Sequence, residues 1–298
     1  MKVVVTGSSG LIGSALIPAL TAGGHIVRRL VRRPPAEGDV RWDPVAGALG
    51  HGALDDADAV VHLAGESIAK GRWTAAKKAR IRDSRVGSTL LLARSMATID
   101  RRPKVFVSAS AVGFYGDRGD ELVDEGTGPG RGFLADVCKE WEAATRPAAD
   151  AGVRVVNVRL GVVLSRHGGA LPMMLRPFRV GAGGPVGTGR QYMSWIAIDD
   201  VVGAIEHLLR AEPMRGPVNL VAPEAVTNAE FTKTLGRVLR RPTVLPVPAF
   251  ALRLLLGEVA DEMLLASTRV RPSRLLDSGY RFRHPRLEAA LRHLLGKG

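Results

Sequence analysis

The sequence predicts an α/β fold: a Rossmann-type, doubly wound parallel sheet with a smaller, mainly helical C-terminal substrate subdomain. Three observations carry this. Short β-branched runs alternate with helix-period segments from the second residue onward. A glycine-spaced turn, Gly7-Ser-Ser-Gly10-Leu-Ile-Gly13, joins the first of those runs to the first helix. Beyond Ser165 the alternation gives way to a glycine-rich loop and short helices.

Residues 2–6 are the first strand, and residues 11–22 form the helix that the glycine turn feeds. Residues 25–31 read as a second strand, less apolar than its neighbours because of Arg28 and Arg29. Residues 59–64 and 104–108 are further buried strands. A helix over 133–149 leads into a strand over 154–158, each crossover right-handed. Residues 181–189 are loop, residues 198–210 an amphipathic helix, and residues 227–240 a helix capped by Thr227 or Asn228. Short helices with a turn at 277–280 fill the tail. Residues 1–165, with 198–211 packing back, are the expected dinucleotide-binding domain. Residues 166–197 and 212–298 make the substrate subdomain.

Composition narrows the function. With 46% hydrophobic and 24% charged residues among 298, the chain is neither disordered nor fibrous. One cysteine, Cys138, excludes an internal disulfide and a cysteine-rich zinc site. A strand beginning at Lys2 leaves no leader segment to expect, and the apolar run 250–257 is too short for a membrane span. A soluble, cytoplasmic protein is therefore expected, with its oligomeric state open. The net charge of +13 comes largely from arginine, 34 of the 42 basic residues. No nucleic-acid motif accompanies it, so a solvated basic surface is preferred to a nucleic-acid partner. The seven histidines are scattered without metal-ligand spacing, and no metal site is expected.

The strand ends carry the chemistry. In the glycine turn, Gly7 permits the bend, Gly10 lets the backbone approach a pyrophosphate, and Gly13 lets helix and strand pack closely. Ser9, Leu11 and Ile12 complete a helix N-terminus suited to phosphate. NAD is usually read by an acid after the second strand. Here Arg29, Arg32 and Arg33 stand in that region and no acid comes before Glu37. A guanidinium fork suits the 2′-phosphate of NADP, so NADP(H) is the expected cofactor. Ordinary surface arginines are the alternative.

Two further segments join the glycine turn in resembling an extended short-chain dehydrogenase/reductase: Val61-His-Leu-Ala-Gly-Glu66 and Ser108-Ala-Ser-Ala-Val-Gly-Phe-Tyr-Gly116. With Gly71-Arg-Trp73, Ser84-Arg-Val-Gly-Ser-Thr89, Gly132-Phe-Leu-Ala135, Ser194-Trp-Ile196 and Ser278-Gly-Tyr-Arg-Phe282, they resemble its atypical, nucleoside-diphosphate-sugar epimerase-like subgroup, which carries a C-terminal domain of unknown function. The resemblance implies that Leu63, Ala64 and Gly65 line the cofactor path. It implies that Ser108 and Ser110 end a strand beside the nicotinamide, with Ser110 polarising the substrate, and that Lys139 holds the ribose hydroxyls. The family's Tyr-x-x-x-Lys pair is broken, because Ala135 stands four residues before Lys139. By elimination, Tyr115 or Glu66 is the expected acid/base. Two readings stay open. One is an NADP(H)-dependent oxidoreductase or epimerase-like enzyme on a small carbonyl or nucleotide-sugar-like substrate. The other is a catalytically weak or inactive NADP(H)-binding regulatory protein, for example in cell division.

Overall fold

The computed structural model describes residues 1–69 and 71–297. Its first half runs β1 (Lys2–Thr6), α1 (Leu11–Ala22), β2 (Ile26–Val31), β3 (Val40–Asp43), β4 (Ala48–Leu49), β5 (Ala59–His62), α2 (Ala75–Thr98), β6 (Val105–Ala111), β7 (Leu122–Val123), α3 (Phe133–Ala143) and α4 (Arg146–Asp150). Then come β8 (Arg154–Leu160), β9 (Val162–Leu164), α5 (Ala170–Arg179), β10 (Tyr192–Met193), β11 (Trp195–Ala197), α6 (Ile198–Arg210) and β12 (Gly216–Leu220). The chain closes with β13 (Val226–Thr227), α7 (Asn228–Leu239), α8 (Ala249–Leu256), α9 (Glu258–Ala260), β14 (Arg269–Val270), α10 (Ser273–Asp277) and α11 (Leu287–Leu295).

The main sheet has the order β12-β8-β6-β5-β1-β2-β3-β4. Its strands are parallel except for the β3–β4 hairpin at one edge. From β1 the chain winds outward to β4, then returns to place β5 on the other flank of β1. That reversal leaves a crevice at the carboxyl ends of β1 and β5. Both faces of the sheet are covered, which is why its strands read as unbroken valine runs. Val3, Val5, Val61 and Val107 pack with Leu16 and Leu20 of α1 and Ile205 and Leu208 of α6. On the other face Val4, Val60 and Phe106 meet Leu92 and Met96 of α2. Each such side chain contributes about 1.5–3 kcal/mol by leaving water.

Several expected boundaries move, each for a local reason. The helix expected over 133–149 is two helices, α3 and α4, because Pro147 near the start of α4 cannot continue the backbone ladder of α3. The strand expected over 104–108 runs to Ala111, and the one over 154–158 runs to Leu160. Their polar ends stay in the sheet because they bond to each other. The strand expected over 59–64 stops at His62. The β3–β4 hairpin was not anticipated. Nor was β12, a part of the expected C-terminal subdomain that instead pairs with β8 at the sheet edge. Pro217 is tolerated in β12 because that strand is an edge. Thr227 is the N-cap of α7, in a capping box with Glu230. A separate core gathers Leu171, Leu175 and Phe178 of α5 around Trp195, together with Phe231 of α7 and Leu291 of α11. Among the described residues no helix is long and apolar enough to cross a membrane.

Candidate functional site

Five neighbouring strands are apolar along most of their length and polar where they end. Thr6, His62, Ser108, Ser110, Arg159 and Asn219 are all buried there. Burying such groups is costly unless each finds a partner, and most do. The Thr6 hydroxyl accepts the backbone N–H groups of Leu63 (3.2 Å) and Ala64 (3.4 Å), leaving its own proton for Nδ1 of His62 at 2.6 Å. Nε2 of His62 then faces the Ser88 hydroxyl at 3.0 Å, and Ser88 donates to the Ser84 carbonyl. This chain ties the ends of β1 and β5 to α2. Burial, aided by the Arg85 charge, pushes the His62 pKa down to about 3, so the ring is neutral.

The glycine turn sits over that tie. Gly7 has φ +68°, and a Cβ there would lie 2.7 Å from the Leu63 carbonyl carbon and 2.8 Å from the Ala64 nitrogen. The loops after β1 and β5 therefore touch. A Cβ on Gly13 would collide with the Gly7 carbonyl oxygen. Gly10 caps α1 without a side-chain hydrogen bond, and no acid stands in the first turn. The backbone N–H groups around Leu11 and Ile12 are thus presented toward the crevice beside Ser9, an arrangement that fits a pyrophosphate. A cavity of about 860 Å3 opens beside it, lined among others by Ser9, Gly10, Leu11, Arg166, His167 and Asp199. Leu63, Ala64 and Gly65 follow β5 on the opposite flank of the turn. Arg85 braces Gly65, donates to the Glu66 carbonyl at 3.0 Å and stacks on Trp141.

The expected arginines divide. Arg29 is held by Asp39 through two bonds of 2.5 and 3.1 Å, and the Asp39 side chain is buried. That pairing takes Arg29 away from a 2′-phosphate. Arg28, on the other face of β2, donates to the carbonyls of Gly52 and Asp55. Arg32 and Arg33 lie exposed just past the end of β2, open to an anion.

The expected acid/base groups are not free for that work. Tyr115 is fully buried, donates to Asn219 at 2.8 Å and accepts from Arg159 at 3.0 Å. Burial holds its phenol above the usual range. Glu66 pairs with Lys77 at 2.6 Å, a bond that lowers its pKa and keeps it ionised. Ser110 donates to Glu142 at 2.7 Å, and Arg159 closes on the same carboxylate with bonds of 2.8 and 2.9 Å. Ser108 is buried in the sheet, its hydroxyl 3.5 Å from the Ala109 carbonyl. Lys139 points to solvent and pairs with Asp136 at 3.0 Å. The residue of α3 that lies against Ser110 and the Ala111 backbone is Cys138. One turn before it, Leu134 stands beside Gly113. The pair four residues apart that looks at the strand end is therefore Leu134 and Cys138, one position from the expected register. Burial pushes the Cys138 thiol up to about 11, so it is neutral.

Sequence spacing missed three features. The Thr6–His62–Ser88 chain is hidden because its members lie far apart in sequence. Glu262 accepts the N–H groups of Phe133 (2.9 Å) and Leu134 (3.2 Å), fastening the C-terminal region to the start of α3. Beside this latch is a cavity of about 260 Å3, whose wall includes Gly113, Arg131, Leu134 and Arg253. The histidines are also not all scattered: Asp199, His284 and His293 bring their donor atoms within 4.8 Å of one another.

Comparison with known proteins agrees with this geometry. The NAD dependent epimerase/dehydratase family matches residues 3–220, and a domain of unknown function (DUF1731) matches residues 247–294. An epimerase family protein of Mycobacterium bovis is 49% identical over 290 residues, covering 97% of this chain and 96% of that protein. The crystal structure of the human epimerase family protein SDR39U1 with NADPH superimposes with a TM-score of 0.92 at 38% identity, covering 99% of both chains. A nucleoside-diphosphate sugar epimerase from Corynebacterium glutamicum gives a TM-score of 0.83 at 41% identity, covering 99% of this chain and 58% of that one. From the glycine turn at its first strand to its C-terminal domain, this chain belongs to the NAD dependent epimerase/dehydratase family of extended short-chain dehydrogenases/reductases.

Proposed function

We propose that this protein binds NADP(H) across the β1/β5 crevice and serves as a cofactor-holding, regulatory member of its family, without the family's tyrosine–lysine proton transfer. One observation carries the reading: the α3 side chains against the end of β6 and the turn after it are Cys138, beside Ser110, and Leu134, beside Gly113, a neutral thiol and a hydrocarbon. Neither assists a proton at neutral pH. Gly7, Gly10 and Gly13, with the N–H groups around Leu11 and Ile12, would hold the pyrophosphate. Leu63, Ala64 and Gly65 would flank the ribose path, and Arg32 and Arg33 would meet the 2′-phosphate. When bound, the nicotinamide supplies hydride exchange. The chain's own contribution is to bind and orient it. NADPH bound to the human relative supports the choice of cofactor. The lone, buried Cys138 is compatible with a cytoplasmic setting.

A second reading, an oxidoreductase or epimerase-like enzyme on a small carbonyl or nucleotide-sugar-like molecule, is favoured by the cavity of about 860 Å3 beside the glycine turn. Its proton would come from solvent or from the substrate. Titration of NADPH and NADH by fluorescence tests the cofactor assignment. Replacing Arg32 and Arg33 with Ala should weaken NADPH binding about tenfold or more and leave NADH nearly unchanged. Equal affinity for both cofactors, unaltered by the substitutions, would remove it. NADPH oxidation with a carbonyl or nucleotide-sugar panel would move the conclusion to the second reading.

A further inference from the structure

Asp199 lies in the first turn of α6, His293 in the last turn of α11, and His284 in the segment just before α11. The two imidazole rings stack with centroids 4.3 Å apart and planes 24° from parallel. Asp199 Oδ2 stands 3.4 Å from Nε2 of His293. One ligand atom from each residue falls within 4.8 Å of the other two. We propose that these three side chains form a binding site for a divalent transition-metal ion, zinc foremost.

The donor set selects the ion. Two imidazoles and one carboxylate suit zinc and its neighbours, whereas magnesium and calcium want an oxygen cage. Zinc bonds of about 2.0–2.1 Å set tetrahedral ligand atoms roughly 3.4 Å apart. The observed spacing, within 4.8 Å, therefore needs a closure of at most about 1.4 Å. One imidazole must also turn out of the stack so that both rings point a nitrogen at the ion; side-chain rotation at His293, which is exposed, supplies both. The frame behind the ligands is fixed. Asp200, fully buried, accepts the backbone N–H of Arg283 at 2.6 Å and of His284 at 3.0 Å, and it receives the Tyr280 hydroxyl at 3.3 Å. That clamp fastens the His284 backbone to α6, the helix that supplies Asp199. Leu291 and Leu294, buried in the core shared with α5 and α7, hold α11 and hence His293.

Three protein ligands leave a fourth position, the pattern of zinc sites that bind a further molecule rather than of closed structural sites. Asp199 and His293 both line the cavity that contains Ser9, Gly10 and Leu11. The open position therefore faces the space beside the glycine turn, where an anionic oxygen of a small ligand would complete the coordination. Metal binding at these three side chains does not require that the protein turn over a substrate.

The test uses the full chain stripped with a chelator, then titrated with Zn2+ alone by calorimetry and equilibrium dialysis. Co2+ serves as the spectroscopic stand-in. One zinc per chain is expected, with visible Co2+ ligand-field bands. His284→Ala and His293→Ala should each weaken zinc binding by more than about tenfold, since even outer partners of a ligand cost that much. Asp199→Asn, which keeps the side chain's shape, should also weaken it and shift the Co2+ bands. His51→Ala should change neither. Circular dichroism melting without metal checks that each variant is folded. A stoichiometry near zero, or zinc affinity unchanged in the folded His284→Ala/His293→Ala double variant, would overturn the site.

Discussion

His62 makes the stability of this protein depend on pH in a direction that its structure fixes. The Thr6 oxygen already accepts the N–H groups of Leu63 and Ala64 and faces His62 Nδ1 at 2.6 Å. A proton on Nδ1 would turn a third donor toward that oxygen, in a fully buried position close to Arg85. The folded pKa accordingly falls to about 3, against about 6.5 for an unhindered histidine. As pH drops below 6.5 the unfolded chain takes up a proton that the native chain refuses, so stability falls with falling pH. Between pH 7 and pH 5 this one residue removes about 2 kcal/mol, and the loss continues toward pH 3. The melting temperature should drop by about 3 °C over that interval from this source. Replacing His62 with Gln keeps a polar group near Thr6 and Ser88 but cannot titrate. Urea denaturation of the wild type and His62→Gln at a series of pH values isolates the term, because other groups contribute equally to both. Parallel stability curves from pH 7 to pH 5 would refute the neutral-histidine argument.

Two other groups give sharper chemical readouts. Arg159→Met leaves the Glu142 carboxylate without its two-pronged partner and should cost about 3–5 kcal/mol, whereas adding Glu142→Gln should recover much of it. A single-variant cost below about 1 kcal/mol in urea unfolding would mean that the pair is not a supporting element of the strand ends. Cys138, with its thiol held up to about 11, should be almost wholly protonated at pH 8, with a thiolate fraction of about one in a thousand. It should resist a thiol reagent in the native protein and react fully once urea unfolds it. Fast native labelling would contradict its placement against Ser110.

What was legible in the sequence is what local patterning dictates. Unbroken valine-rich runs, a glycine turn before a helix, and amphipathic segments such as residues 198–210 specify strands, turn and helices through neighbours close along the chain. The glycine turn between β1 and α1 was therefore found at Gly7, Gly10 and Gly13. β12 escaped because its sequence, Gly-Pro-Val-Asn-Leu, has weak strand character of its own and is held by β8 across the sheet. The same limit governed the site. The family resemblance offered Lys139 as the family lysine, yet a one-residue change of position on a helix turns a side chain by about 100°. The packing of Cys138 and Trp141 against the sheet and α2 sends Lys139 to solvent.

The sequence by itself determined the fold class, the N-terminal glycine turn and the exposed arginines beyond β2, because each is written in residues close together. Only the tertiary structure decided which polar groups are spent on one another. Tyr115 goes to Asn219 and Arg159, Ser110 to Glu142, Arg29 to Asp39, and Glu66 to Lys77. It also decided which distant ones converge, as Thr6 with His62, and Asp199 with His284 and His293. The physical reason is common to all of them. A buried polar side chain must find a partner when water is removed, and that partner is chosen by proximity in space, which the strand order and helix packing set.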